Sequence, residues 1–171
     1  MPSTYKAPEY PYVQPPELAA GGVARTQVAI VGAGPIGLAA AIDLAQQGID
    51  FILVDDNNTV SVGSRAICYA KRALEILDRL GCGDAVCARG IEWKVGKVFF
   101  HDELAYQFDL LPEPGHKRPA FVNLQQYHLE ECLVARLAEL GHGVRWKSRA
   151  VGIAARDDGV RVDIDTPDGR Y

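Results

Sequence analysis

The chain carries the hexapeptide Gly32-Ala33-Gly34-Pro35-Ile36-Gly37 between two stretches of different apolar periodicity. Before it, Gln27 to Val31 is a short β-rich apolar run. After it, from Pro35 to Gln47, the apolar residues take helical spacing. Gly48 ends this predicted helix, and Ile49 to Val54 is a continuous apolar run, which is typical of a buried parallel strand. The sequence therefore predicts a complete βαβ unit.

The glycines of the hexapeptide match a dinucleotide-binding fingerprint, and each has its own physical reason. Gly32 permits the tight turn, Gly34 lets the backbone approach a pyrophosphate, and Gly37 lets the helix pack closely on the strand. Proline suits the first helical position, and the free amides at a helix start, together with its dipole, form an anion site. We therefore predict six nucleotide contacts: Gly32, Ala33, Gly34, Pro35, Ile36 and Gly37.

An acidic pair follows the second predicted strand. Asp55 falls 18 residues after Gly37, close to where a carboxylate accepts hydrogen bonds from a ribose diol. Such a carboxylate would also repel a 2′-phosphate, which favours FAD or NAD over NADP as the bound nucleotide. Asp56 is the neighbouring alternative, although strand alternation turns only one of the two toward the ribose.

The remaining pattern favours FAD over NAD, because an NAD domain normally continues with further βαβ units. This chain instead inserts a hairpin and a long helix. The predicted helices are Tyr69 to Leu80, closed by Gly81, and Gln125 to Leu140, closed by Gly141. The predicted strands are Trp93 to Phe100, Tyr106 to Leu110, Phe121-Val122, Val144 to Trp146 and Val160 to Asp165.

We therefore predict an α/β fold, namely a Rossmann-like FAD-binding domain with a βαβ start and an inserted β-hairpin. The turn Pro167-Asp168-Gly169 is followed by only Arg170 and Tyr171. Such a short returning strand would leave backbone groups of its partner unpaired. We expect this domain, residues 25–171, to be incomplete at its carboxyl end.

The first 24 residues have a different composition, rich in proline and tyrosine, which resists helix and cannot build a core. We interpret residues 1–24 as an extended arm. Its tyrosines would lie on the domain surface or at a subunit contact; a loose tail is an equal alternative. The residues concerned are Pro2, Pro8, Pro11, Pro15, Pro16, Tyr5, Tyr10 and Tyr12.

Composition excludes several other classes of function. The 22 acidic and 18 basic residues are interspersed and give a net charge of −4, so we expect no nucleic-acid partner. No apolar run approaches the length of a membrane span, and no signal-peptide pattern is present, so we expect a soluble cytoplasmic protein without membrane contact. The four cysteines form no Cys-x-x-Cys pair, and we expect no metal.

Two further motifs are Ser64-Arg65-Ala66-Ile67 and Gln126-Tyr127-His128-Leu129-Glu130. They resemble those of the FAD-dependent aromatic-ring hydroxylases, which include phenol and 3-(3-hydroxyphenyl)propionate hydroxylases. The resemblance implies that Arg65, with Ala66, lies beside the FAD and neutralises phosphate or ribityl oxygens. It implies that Gln126 contacts the FAD from the helix start, with Gln125 as a near-equal candidate.

The same resemblance implies a monooxygenase in which NADH or NADPH reduces FAD and O₂ hydroxylates a phenol-like substrate. A homodimer is a plausible assembly. The Asp-Gly and Gly-Asp motifs that such enzymes carry later in the chain are missing, so we expect this chain alone to be inactive, and we assign no catalytic residue. The alternatives are an FAD-dependent dehydrogenase or halogenase, or a non-catalytic nucleotide-binding fragment.

Overall fold

The structure is a computed structural model that describes residues 5–63 and 65–171. Ser64 of the second motif and Pro2 of the arm lie outside the described residues. The helices are α1 Pro16–Ala19, α2 Pro35–Gln46, α3 Lys71–Leu80, α4 Gly83–Arg89 and α5 Gln126–Glu139. The strands are β1 Val28–Val31, β2 Phe51–Val54, β3 Cys68–Ala70, β4 Ile91–Trp93, β5 Val95–Phe100, β6 Glu103–Asp109, β7 Phe121–Asn123, β8 Arg149–Arg156, β9 Gly159–Thr166 and β10 Gly169–Arg170.

The chain forms two compact units. One consists of the residues up to Val62 together with Leu133–Tyr171, and the other consists of Gly63–Cys132. Both combine helices with strands, so the fold is mixed α/β, as the sequence predicts.

The first unit contains β1 and β2, which pair in parallel from Val28↔Phe51 to Val31↔Val54, with α2 connecting them. Helix α2 buries Leu38, Ala41 and Ile42 completely. These residues are spaced at i, i+3 and i+4, so they form one apolar stripe that packs as a helix face should. The sequence predicts a strand from Val144 to Trp146. The structure has an isolated parallel bridge in its place, between Arg145 and Val54.

A three-stranded antiparallel sheet with the order β10-β9-β8 completes this unit. The register between β8 and β9 shifts between Ala150 and Gly152. Beyond β10, Tyr171 continues the pairing, because its backbone amide and carbonyl both bond Ile164 at 3.0 and 2.9 Å. The returning strand thus pairs with β9 through every residue that follows the turn.

The second unit contains a three-stranded antiparallel sheet with the order β3-β7-β4 and the hairpin β5-β6. Helices α3 and α4 bury Leu74, Leu77, Leu80 and Val86. The buried guanidinium of Arg118 joins these helices, since it donates to Asp78 at the end of α3 and to Asp84 at the start of α4.

Three predicted helix ends are confirmed, since each falls at a glycine with positive φ. The angles are 68° at Gly48, 84° at Gly81 and 80° at Gly141. Only glycine takes this conformation without strain from a Cβ atom.

Three predicted boundaries are wrong, and one of them is the start of β6, which is Glu103 rather than Tyr106. Tyr69 and Ala70 belong to β3 rather than to the following helix, because their backbones pair with β7. The predicted strand from Trp93 to Phe100 is divided, since β4 pairs with β7 whereas β5 pairs with β6. Helix α4 and strand β8 were not predicted, and neither was the four-residue helix α1, which lies in the arm that was expected to be extended. The errors at Tyr69 and in the run from Trp93 to Phe100 share one cause, because partners distant in the sequence override local propensity.

Candidate nucleotide-binding site

The glycine-rich turn lies at the carboxyl end of β1 and leads directly into α2. Gly32 has φ 101°, and its amide donates to the carbonyl of Val54 at 2.8 Å, which ties the turn to β2. Gly34 precedes the helix with an extended backbone, and its carbonyl accepts from the Leu38 amide at 3.0 Å. The amide of Ile36 therefore stands in the first turn, where a helix has no acceptor of its own for it. This arrangement suits an anion.

The two glycines on either side of the helix start have opposite surroundings. A Cβ atom at Gly37 would lie 1.9 Å from the carbonyl oxygen of Gly32 and 3.4 Å from the Ile30 side chain. A Cβ atom at Gly34 would meet nothing within 4 Å. Gly37 is therefore required by the packing of α2 on β1, whereas Gly34 faces open space that a ligand can enter.

Asp55 is held at the end of β2 by hydrogen bonds from both sides. Its carboxylate accepts from the amide of Ala33 in the turn at 2.6 Å and from the amide of Asn57 at 2.8 Å. Its backbone donates to Arg145 at 3.1 Å and accepts from Ser148 at 2.7 Å. A carboxylate has about four lone-pair sites, so acceptor capacity remains. Asp55 thus places a fixed negative charge beside the turn, whereas Asp56 is exposed.

The candidates taken from the second and third motifs belong to the second unit. Arg65 and Ala66 are exposed, and Gln125 and Gln126 are partly buried at the start of α5. The Gln126 side chain donates to the carboxylate of Glu130 at 2.7 Å. The structure thus brings the hexapeptide and Asp55 together in the first unit, and it holds the other four candidates in the second.

Glu130 was missed as a functional candidate, although its side chain is only 1% exposed. Glu130 lies one helical turn after Gln126, and residues four apart share one helix face. This spacing in the sequence already indicated that the two side chains can contact each other. The phenol of Tyr69 lies nearby: burial raises the pKa of its hydroxyl, and the charge of Glu130 raises it further. We interpret Glu130 as the residue that orients the Gln126 side chain.

Two other kinds of feature are absent from residues 5–63 and 65–171. No group of three or more histidine, cysteine, aspartate or glutamate side chains there is arranged to hold a metal ion. In the same residues, no helix has the length and apolar character that crossing a membrane requires.

Comparison with known proteins gives one family and a consistent set of relatives. A family model described as FAD binding domain matches residues 25–170. A flavin-dependent monooxygenase from Mycobacteroides abscessus is 29% identical over 145 residues, which cover 80% of this chain and 30% of that protein.

Solved structures give the same result. The p-nitrophenol 4-monooxygenase PnpA from Pseudomonas putida DLL-E4 superimposes with a TM-score of 0.76 at 27% identity, covering 84% of this chain and 37% of the other. The flavin-dependent monooxygenase PieE, solved with FAD and substrate, has a TM-score of 0.70 at 26% identity, covering 83% of this chain and 27% of the other. The chain thus spans well under half the length of each of these proteins.

Proposed function

The chain belongs to the FAD binding domain family, and from this we propose that residues 25–171 are the amino-terminal part of a Rossmann-like FAD-binding domain. The whole protein would be an NADH- or NADPH-dependent monooxygenase that hydroxylates a phenol-like aromatic molecule with O₂. Similarity to a p-nitrophenol 4-monooxygenase supports the substrate class. Residues 1–24 would form a proline- and tyrosine-rich extended arm that precedes this domain.

The observation that carries this proposal is the junction of the glycine-rich turn with Asp55. A dinucleotide needs a donor-rich helix start for its pyrophosphate and a fixed acceptor nearby for its ribose. The first is supplied by the turn from Gly32 to Gly37, where the open space at Gly34 lets the backbone approach. The second is Asp55, whose carboxylate lies 2.6 Å from the Ala33 amide. The residues present therefore fit FAD.

Four further residues are proposed as FAD contacts. Arg65, next to Ala66, is exposed and carries a planar cation that suits phosphate or ribityl oxygens. Gln126 has its side chain oriented by Glu130, and Gln125 is the neighbouring alternative. These assignments rest on the resemblance of the two motifs to those of aromatic-ring hydroxylases.

FAD, when bound, would accept hydride from NADH or NADPH and react with O₂. The residues of this chain bind and orient it. In particular, Asp55 would accept hydrogen bonds from the ribose hydroxyls, while the first-turn amides of α2 would neutralise part of the pyrophosphate charge.

The binding part of the proposal is tested by titrating FAD into the purified protein and its Asp55→Asn and Asp56→Asn variants. A hydrogen bond to a charged group contributes about 1.5–3 kcal/mol, so Asp55→Asn should weaken FAD binding by roughly 10- to 100-fold. Asp56→Asn is the matched control, since it removes the same charge one residue away and should bind like the wild type. Equal losses in the two variants would contradict the ribose assignment, and a wild type that does not bind FAD would remove the proposed function.

The reaction is tested on the whole protein, loaded with FAD, by following NADH or NADPH oxidation with and without a series of phenols. We expect a phenol to accelerate the oxidation and to gain one oxygen atom from O₂. Product formation that proceeds equally well without O₂ would instead indicate a dehydrogenase.

A further inference from the structure

The proline- and tyrosine-rich arm is docked on the first unit by its backbone. The amide of Tyr10 donates to the carbonyl of Asn58 at 2.8 Å, and the Asn58 side chain donates back to the carbonyl of Tyr10 at 3.3 Å. The hydroxyl of Thr59 donates to the carbonyl of Pro8 at 2.6 Å, and Glu9 and Thr59 form an antiparallel bridge. The arm therefore runs as a short strand beside the segment that follows Asp55.

Two side chains of the arm anchor it to a second segment. The Tyr10 ring stacks on Trp146, with centroids 4.7 Å apart and planes inclined by 7°. Glu17 accepts from both terminal nitrogens of Arg145 at 3.1 Å, a bidentate geometry that also fixes the direction of the arginine. Burial by itself would raise the pKa of Glu17, but the hydrogen bonds from Arg145, a backbone hydrogen bond and the charge of Arg145 together lower it.

These two segments are the ones that hold Asp55. The first, residues 57–59, supplies the Asn57 amide that donates to the carboxylate. The second, residues 145–148, supplies the Ser148 amide that donates to the Asp55 carbonyl at 2.7 Å. The segments are also joined to each other, because the Lys147 amide donates to the Asn57 carbonyl at 2.9 Å.

We propose that Tyr10 and Glu17 are positioning residues for Asp55: they clamp residues 57–59 and 145–148 around it, so that the carboxylate is held against the glycine-rich turn before the cofactor arrives. This inference rests on the proposed FAD site. The family match begins at residue 25, so it assigns no role to the arm. A site ordered in advance binds more tightly, because apparent affinity falls in proportion to the fraction of molecules that have the competent arrangement.

The test uses the double variant Tyr10→Ala/Glu17→Gln, which removes both anchors. The control is Val13→Ala, which truncates an arm side chain that is 72% exposed. Amide hydrogen exchange is followed without FAD at residue 10, which reports release of the arm, and at Ala33 and Asn57, whose amides donate to the Asp55 carboxylate. Amides inside α2, such as that of Ile42, report any global loss of stability.

We expect the double variant to exchange about tenfold faster at residue 10 and at both Asp55-bonded amides, while Ile42 and the Val13→Ala control stay at the wild-type rate. FAD titrations should show a dissociation constant raised about fivefold in the double variant alone.

Unchanged exchange at Ala33 and Asn57 in a variant whose arm is released would overturn the proposal. So would retained protection at residue 10, since these side chains would then not hold the arm. Faster exchange with an unchanged FAD dissociation constant would overturn the positioning role. A wild type without FAD affinity removes the proposed function, and the exchange data still decide whether the arm orders Asp55.

Discussion

Replacing Gly37 with alanine should push α2 away from the strand it packs on. The added Cβ would lie 1.9 Å from the Gly32 carbonyl oxygen and 3.1 Å from the Gly32 carbonyl carbon, and both atoms are backbone. No side-chain rotation relieves such a contact, so the helix must shift by about 1 Å relative to the turn. Because α2 buries Leu38 and Ile42 completely, the shift reaches the core of the first unit.

The size of the effect follows from two opposing contributions. Overpacking of this kind costs about 3 kcal/mol at the upper end of its usual range, whereas alanine is a better helix former than glycine by about 1 kcal/mol. The free energy of unfolding should therefore fall by about 2 kcal/mol in Gly37→Ala. For a chain of this length, that corresponds to a fall in Tm of roughly 4–8 °C.

Urea unfolding followed by circular dichroism measures this directly, and Gly34→Ala is the matched control. Gly34 has an extended backbone with open space around it, so its alanine variant should keep its stability within about 0.5 kcal/mol. Toward FAD the order should reverse, with Gly34→Ala binding more weakly than Gly37→Ala, because in the proposed site a Cβ at Gly34 would occupy the approach of the pyrophosphate. A Gly37→Ala protein as stable as Gly34→Ala would refute the packing argument.

Two further predictions concern the second unit. The guanidinium of Arg118 lowers the pKa of Asp78 to about 2 despite partial burial. The unfolded value is near 3.9, so this carboxylate should contribute about 2 kcal/mol of stability above pH 5 that is lost as the pH falls toward 2. In urea unfolding across this range, the free energy of unfolding of Asp78→Asn should depend less on pH than that of the wild type. Parallel pH dependences in the two proteins would contradict this prediction. Burial raises the pKa of the Cys132 thiol, whereas Cys68 is exposed, so iodoacetamide at pH 8 should alkylate Cys68 first. Mass spectrometry of the digested protein measures the order of labelling, and faster labelling of Cys132 would contradict the prediction.

Local chemistry explains why the sequence indicates where α2 and the strands on either side of it lie. Helix α2 and its flanking strands differ in apolar period, and the glycines at 32 and 48 need the positive φ that the structure gives them. Each of these signals acts over a few residues and requires no knowledge of distant partners. The same reasoning gave the hexapeptide, Asp55 and the start of α5 as candidates.

Prediction failed where partners are far apart in the chain. Tyr69 has helix-compatible neighbours, yet it becomes a strand residue because β7, some fifty residues later, offers backbone hydrogen bonds. Glutamate is usually a surface residue, and only the tertiary structure shows that Glu130 is buried and bonded to Gln126. Strand pairing and burial depend on the whole chain, so local propensity does not determine them.

The sequence by itself determined the class of fold, the glycine-rich turn and the acid that follows the second strand. Only the tertiary structure decided that four hydrogen bonds hold Asp55. It also decided that the arm, expected to place its tyrosines on the domain surface or at a subunit contact, or else to be a loose tail, lies against the two segments that hold Asp55. The physical reason is that a hydrogen bond between residues 10 and 58, or a ring stack between residues 10 and 146, leaves no periodic trace in the sequence. Such contacts form only when folding brings distant segments together, because the chain must first close long loops whose entropy opposes them.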